Sequence, residues 1–326
     1  MLLNIVGVMS NVLCVYIFGS PNMCRPIKKF FCSLAAVDAL SCVLCILNQS
    51  LELYFNALTS VSRLSMTIYL LSSLLRYLLC AVIRPYLTTS MSFVRYKNIS
   101  NVSRLNAVVS VKSMEIVLLV TFSVSLVLFI PEMFNFRVIS TPIYTCFLYH
   151  LNKSIRLNKY FTLYSLFRQS LPCFSMIILS FFIIQMMCSV RSHSVLLQNT
   201  RQRKALNKII RAALVIAGIV FSSILVSISF IVEDIFGLSD TFHDDIAAHK
   251  LAHMSIDTFV TISSVLNIVL FCLQKDFRQE LWKSCYCHLI FPEKRHVPKT
   301  RQKQNVPEAS YSMRIVARNL SYSHCQ

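Results

Sequence analysis

Apolar residues in this chain come in blocks of about 20, the length of helix that crosses a hydrocarbon core roughly 30 Å thick, instead of the short runs that fill a globular core. Seven blocks are read, at 1–19, 27–47, 66–94, 112–134, 161–188, 207–232 and 251–273. Inside lipid each backbone polar group must be satisfied within its own segment, so each block is predicted as a helix. The residue balance agrees, since 55% apolar and 14% charged residues, with 4 Gly and 23 Phe in 326, leave too little polar surface for a water-soluble domain. The expected fold is an all-α membrane protein, a seven-transmembrane-helix bundle. Its third span carries Arg76, Arg84 and Pro85, so at least one side of that helix is expected to face protein or water.

Lys and Arg in the connecting segments set the expected orientation. Segments 20–30, 95–112, 189–211 and the tail from 275 carry 3, 4, 6 and 10 of them, 23 in all. The opposite segments 48–66, 135–160 and 233–250 carry 1, 4 and 1, 6 in all. The tail is therefore predicted to be cytoplasmic and the amino terminus, seven spans away, extracellular. Only ten residues precede Asn11, so either the first span itself directs insertion or an amino-terminal part is missing.

The formal charge of +18 sits mostly in loops beside apolar spans, where anionic membrane lipid is the natural partner, and nucleic acid is not expected. The 13 Cys show no CxxC or Cys/His spacing, so neither a metal site nor a secreted disulfide framework is indicated. Beyond the last span, Phe277, Leu281 and Trp282 form a stripe with basic residues beside it, which predicts a short amphipathic helix from Asp276 to about Ile290. Cys285 and Cys287 on it are candidate palmitoylation sites. Residues 1–290 are read as one domain and 291–326 as a disordered basic cytoplasmic tail with phosphorylatable Ser and Thr.

Several spans carry short motifs. The first reads Gly7-Val8-Met9-Ser10-Asn11, and the second reads Ser33-Leu34-Ala35-Ala36-Val37-Asp38. Val94-Arg95-Tyr96 closes the third, 57 residues beyond Asp38, and Phe129-Ile130-Pro131-Glu132-Met133-Phe134 closes the fourth. Leu171-Pro172 lies in the fifth and Phe221 in the sixth. The seventh carries Leu266-Asn267-Ile268-Val269-Leu270-Phe271, followed by Lys275-Asp276-Phe277-Arg278.

In these motifs, over residues 5 to 282, the chain resembles the rhodopsin-like (class A) G-protein-coupled receptors, and the fourth-span ending is similar to that of invertebrate FMRFamide-type neuropeptide receptors. The resemblance implies a receptor at the plasma membrane that takes an extracellular ligand, a short basic amidated peptide, and activates a heterotrimeric G protein. It implies that Arg95, Tyr96, Asn267, Phe271 and Phe221 take part in activation and coupling. Val94 stands where the family has an acid, Leu225 and Ser227 where it has Trp and Pro, and Phe271 where it has Tyr. Cys146 resembles the family's loop cysteine, but no Cys occupies the outer end of the third helix, where the bridging partner would stand, and Cys80 lies too deep. Arg191, Arg201, Arg203, Lys204, Lys208 and Arg211 flank the fifth and sixth helices, where relatives dock a G protein; lipid attraction alone would also place them there.

Counting outward from Arg95, Arg84 stands eleven residues away, about three turns, level with Asp38. An ion pair Asp38–Arg84 is therefore predicted, a tethered cation at the level where relatives hold sodium. Glu233, Asp234, Asp240, Asp244 and Asp245 gather at the third outer loop against Lys250, and Asp257 lies less than two turns into the seventh span. Such an acidic mouth steers cationic peptides, and a desolvated carboxylate such as Asp257 holds an arginine bidentately; a solvated acidic turn is the other reading. Tyr77, His253 and Phe259 are the candidate pocket-lining residues, with plain packing as the alternative. Asn152-Lys153-Ser154 is a glycosylation acceptor in an outer loop, whereas Asn98 and Asn101 start the same motif on the cytoplasmic side.

No Ser, His and acid stand at catalytic spacing, so an enzyme is not expected. Two further functions stay open. One is a divergent receptor-like protein that no longer signals, on the strength of Val94, Leu225, Ser227 and Phe271. The other is a transporter, against which stand the absence of internal repeats and the single acid, Asp38, at mid-membrane.

Overall fold

A computed structural model of the chain describes residues 1–20, 28–57, 63–103, 111–135, 155–195, 200–237 and 246–290. Every element among them is helical. They run α1 (Leu2–Gly19), α2 (Lys28–Ala57), α3 (Arg63–Tyr77), a π-helical turn (Leu78–Ile83), α4 (Arg84–Ser103), α5 (Val111–Asn135), α6 (Ile155–Val195), α7 (Thr200–Gly237), α8 (Ile246–Cys272) and α9 (Lys275–Ile290). Seven stretches are long and apolar enough to cross a bilayer, the third being α3, the π-turn and α4 together, from Leu64 to Lys97. The chain is thus a multi-pass membrane protein of seven packed helices, as the block pattern predicts. Its outer surface is apolar: Leu119, Phe167, Phe174 and Phe181 are all more than 60% exposed, a surface that only lipid accommodates.

The third span is the axis of the bundle, packed against α2, α5, α6 and α7. Its irregularity has a local cause. Pro85 has no N–H to give to the carbonyl of Ala81, and its ring crowds that carbonyl. The turn before it widens, so that the Arg84 N–H reaches back to the Leu79 carbonyl, five residues away. All six residues of the turn are buried, so the irregular backbone stays inside protein.

The second helix runs to Ala57, ten residues beyond the expected end at 47. Polar residues follow position 47, but the helix continues because neighbours take up the polar groups of Asn48 and Glu52. Ser72 of α3 donates to buried Asn48, and Tyr69 donates to Glu52 at 2.8 Å. Close contact between α1 and α2 depends on Gly7, where an added Cβ would lie 2.7 Å from Cys42 Sγ.

One end of the bundle is closed by α9. Phe18 of α1, Phe31 of α2, Phe271 of α8 and Phe277 of α9 form a buried ring cluster, with centroids 4.8–5.8 Å apart. Ser20 Oγ donates to Glu280 at 3.0 Å beside it. The expected stripe on α9 divides: Phe277 and Leu281 pack onto the bundle core, while Trp282 is 67% exposed. Lys29 and Glu115 pair at this same end. Residues 291–326, with the expected tail, lie outside the described residues, as do Asn152, Cys146 and the loop acids Asp240, Asp244 and Asp245.

Candidate functional site

Polar side chains inside an apolar bundle mark where a membrane protein spends stability on something other than packing. Here they form two levels, both anchored on the third span.

At the deeper level Arg84 Nε stands 3.0 Å from Asp38 Oδ1, with both side chains 1% exposed. This is the pair that the register predicts. Desolvating two ions costs several kcal/mol each, so such a pair persists only where further hydrogen bonds satisfy it. Each ion has one: Asn267 of α8 donates to Asp38 Oδ2, and Arg84 Nη2 donates to Ser263 Oγ at 2.6 Å, while Arg84 Nη1 has no hydrogen-bond partner among the described residues. Asn11 of α1 donates to the Gly7 carbonyl at 2.9 Å and to the Ser264 carbonyl at 3.1 Å. Thr88 shares a 3.1 Å hydrogen bond with Ser223 of α7. The acid thus joins three spans directly, through Arg84 of the third and Asn267 of the seventh.

The second level lies two turns nearer the end opposite α9. Arg76, buried at the end of α3, pairs with Asp257 of α8. The acid read as an anchor for a ligand arginine thus already holds one from its own chain, which amends the sequence reading of an unoccupied Asp257. The sequence shows Arg76 as a charge inside a span and Asp257 as part of the acidic mouth; only the packing of α3 against α8 brings the two together.

Beside this pair stands a cluster that the sequence reading overlooked. Arg168 of α6 is 1% exposed. Its Nη2 donates to the Tyr77 hydroxyl at 2.8 Å and to Ser165 Oγ at 3.1 Å, and its guanidinium lies over the rings of Tyr77 and Tyr164. Gln169 also donates to the Tyr77 hydroxyl, at 3.1 Å, and Ser165 donates to Asp234 of α7 at 2.9 Å. Phe230 stacks edge-on against Tyr77, with ring centroids 5.7 Å apart. The signal was present in the spacing of Ser165, Arg168 and Gln169, which puts three polar groups on one helix face inside an apolar block.

Of the predicted mouth residues, Tyr77, Asp234 and Asp257 are brought to this level. The side chains of Glu233 and His253 lie outside the described residues. Phe259 is 48% exposed and faces away from the bundle, so it lines nothing.

At the α9 end, Tyr96 packs against Phe182 of α6, with centroids 5.9 Å apart, and touches the small core of Ile183 and Ala213. Arg95 is half-buried there. Val94, in place of an acid, is 2% exposed and belongs to the main core. Phe271 is sealed in the ring cluster. Phe221 corrects the expectation placed on it: it is 63% exposed and points into lipid, because the inward face of α7 at that level is formed by Ser222 and Ser223, one helical step on. The ring of α7 that does face inward is Phe230. Among the described residues no group of His, Cys, Asp or Glu is arranged to hold a metal ion.

Comparison with protein-family models and with curated proteins gives no match for this chain.

Proposed function

We propose that this chain is a receptor of the rhodopsin-like, G-protein-coupled kind, placed in the plasma membrane with its amino terminus outside and its tail in the cytoplasm. Its ligand is a short basic amidated peptide entering at the end opposite α9, and its partner at the α9 end is a heterotrimeric G protein. The reading is carried by the meeting of Asn11, Asp38 and Asn267: three residues picked out from separate motifs, Asn11 lying 253 residues from the seventh-span carbonyl it bonds, belong to one buried polar cluster. A shared cluster of this kind couples three spans, which is what transmission between two membrane faces requires. Tyr77, Asp234 and Asp257 supply polar groups at one face; Arg95 and Tyr96 lie at the other.

A receptor-like protein without signalling is the second reading, and one observation favours it. Phe271 is held among three other phenylalanine rings with no hydroxyl to exchange partners, and Val94 leaves Arg95 without an acid as its immediate neighbour in sequence. Ligand-dependent nucleotide exchange on a G protein, measured with amidated peptides in membranes of cells expressing this chain, separates the two.

A further inference from the structure

The two buried ion pairs differ in one respect that bears on what each can do. Asp38 and Arg84 are sealed, each 1% exposed. At the other level the Asp257 side chain is 22% exposed and that of Arg76 10%. A pair closed to solvent on every side is structural, because nothing can replace either partner. A pair open at its carboxylate exchanges whenever a competing cation offers equal geometry at a lower desolvation cost.

We infer that Asp257 is an exchangeable guanidinium site, occupied by Arg76 as a tethered stand-in until a guanidinium from outside displaces it. The inference rests on the basic-peptide reading for the identity of the natural ligand, but not for the chemistry of the site. Three observations support it. Asp257 stands on α8 only a turn from Met254, the start of the apolar part of the seventh span, so the partly exposed carboxylate lies near the end of that span. Arg76 Nε has no hydrogen-bond partner among the described residues, so the guanidinium is held without using all its donors. Arg76 also lies two residues before the π-turn Leu78–Ile83. π-turns of this kind are frequent at functional sites, and Pro85 keeps this one from closing into regular α-helix.

The occupant lowers the apparent affinity of any competing cation by the fraction of molecules in which the site is open. Removing it should therefore reveal the site. The full chain is purified in lipid nanodiscs as wild type, Arg76→Ala, and Arg76→Ala with Asp257→Asn, and melting is followed against N-ethylguanidinium. A saturable rise in melting temperature is expected for Arg76→Ala and, at about tenfold or more higher concentration, for the wild type, with none for the double variant. No rise, or an equal rise in the double variant, overturns the inference.

A second measurement uses Arg76→Gln, whose carboxamide keeps a donor to Asp257 and guards against a folding defect. Its affinity for Arg-Phe-amide is expected to exceed that of the wild type by about tenfold or more, as expected for a site closed about nine-tenths of the time. Rescue by N-ethylguanidinium with no such gain keeps the exchangeable site and removes the basic peptide as its ligand. A gain in peptide affinity without any rescue overturns the exchange and leaves the peptide reading standing.

Discussion

Arg84 and Asp38 meet at 3.0 Å in an enclosed part of the bundle, the arginine from the third span and the acid from the second, with Asn267 of the seventh donating to Asp38 and Ser263 of the seventh accepting from Arg84. The guanidinium fills the coordination that a free cation would otherwise seek at Asp38. Two consequences can be measured.

Removing one partner leaves a buried charge without compensation. Asp38→Asn is expected to destabilise the fold by about 3–5 kcal/mol, and Asp38→Asn combined with Arg84→Met to recover much of that loss. Melting in nanodiscs checks both. The same measurement in sodium chloride and in choline chloride should give one melting temperature for the wild type. A marked stabilisation by sodium would remove the tethered-cation account of Asp38.

Tyr77 receives two donors, from Arg168 and Gln169, so its hydroxyl joins the third span to the fifth. Tyr77→Phe keeps the ring contacts with Phe230 and Phe129 but leaves those donors short of an acceptor. The expected cost is about 1–3 kcal/mol, seen as a lower melting temperature. An unchanged melting temperature would mean that the ring, not the hydroxyl, holds Arg168 in place.

Orientation is open to a direct test. Asn152 should carry a glycan in a eukaryotic host, while Asn98 and Asn101 should not, because only the extracellular side meets the glycosylation machinery. Enzymatic deglycosylation should shift the wild type on a gel and leave Asn152→Gln unshifted. Modification at Asn98 would invert the bundle.

Much of this arrangement was legible in the sequence, and the limits are physical. Span number follows from block length, because bilayer thickness fixes it. Asp38–Arg84 follows from counting turns back from Arg95, because the stretch from Arg84 to Arg95 is regular α-helix of constant rise and the π-turn lies beyond it. The second helix outran its expected end because polarity marks a terminus only where water receives it, and Asn48 and Glu52 find partners on α3 instead. Arg76–Asp257 was missed because a pair 181 residues apart is defined by how spans pack, which no periodicity within one helix reports. Arg168 was passed over inside a block that reads as apolar on average. Phe221 was placed by motif alignment, and one helical step separates the lipid face from the inward face.

The measurement that bears most directly on the receptor account is G-protein nucleotide exchange in membranes of cells expressing this chain, challenged with a small library of amidated peptides after surface delivery is confirmed. The account predicts exchange that depends on peptides ending in Arg-Phe-amide and that Asp257→Asn weakens. Silence across the library at good surface expression would contradict it and leave the chain as a receptor-like protein whose Val94, Leu225, Ser227 and Phe271 have replaced the switch.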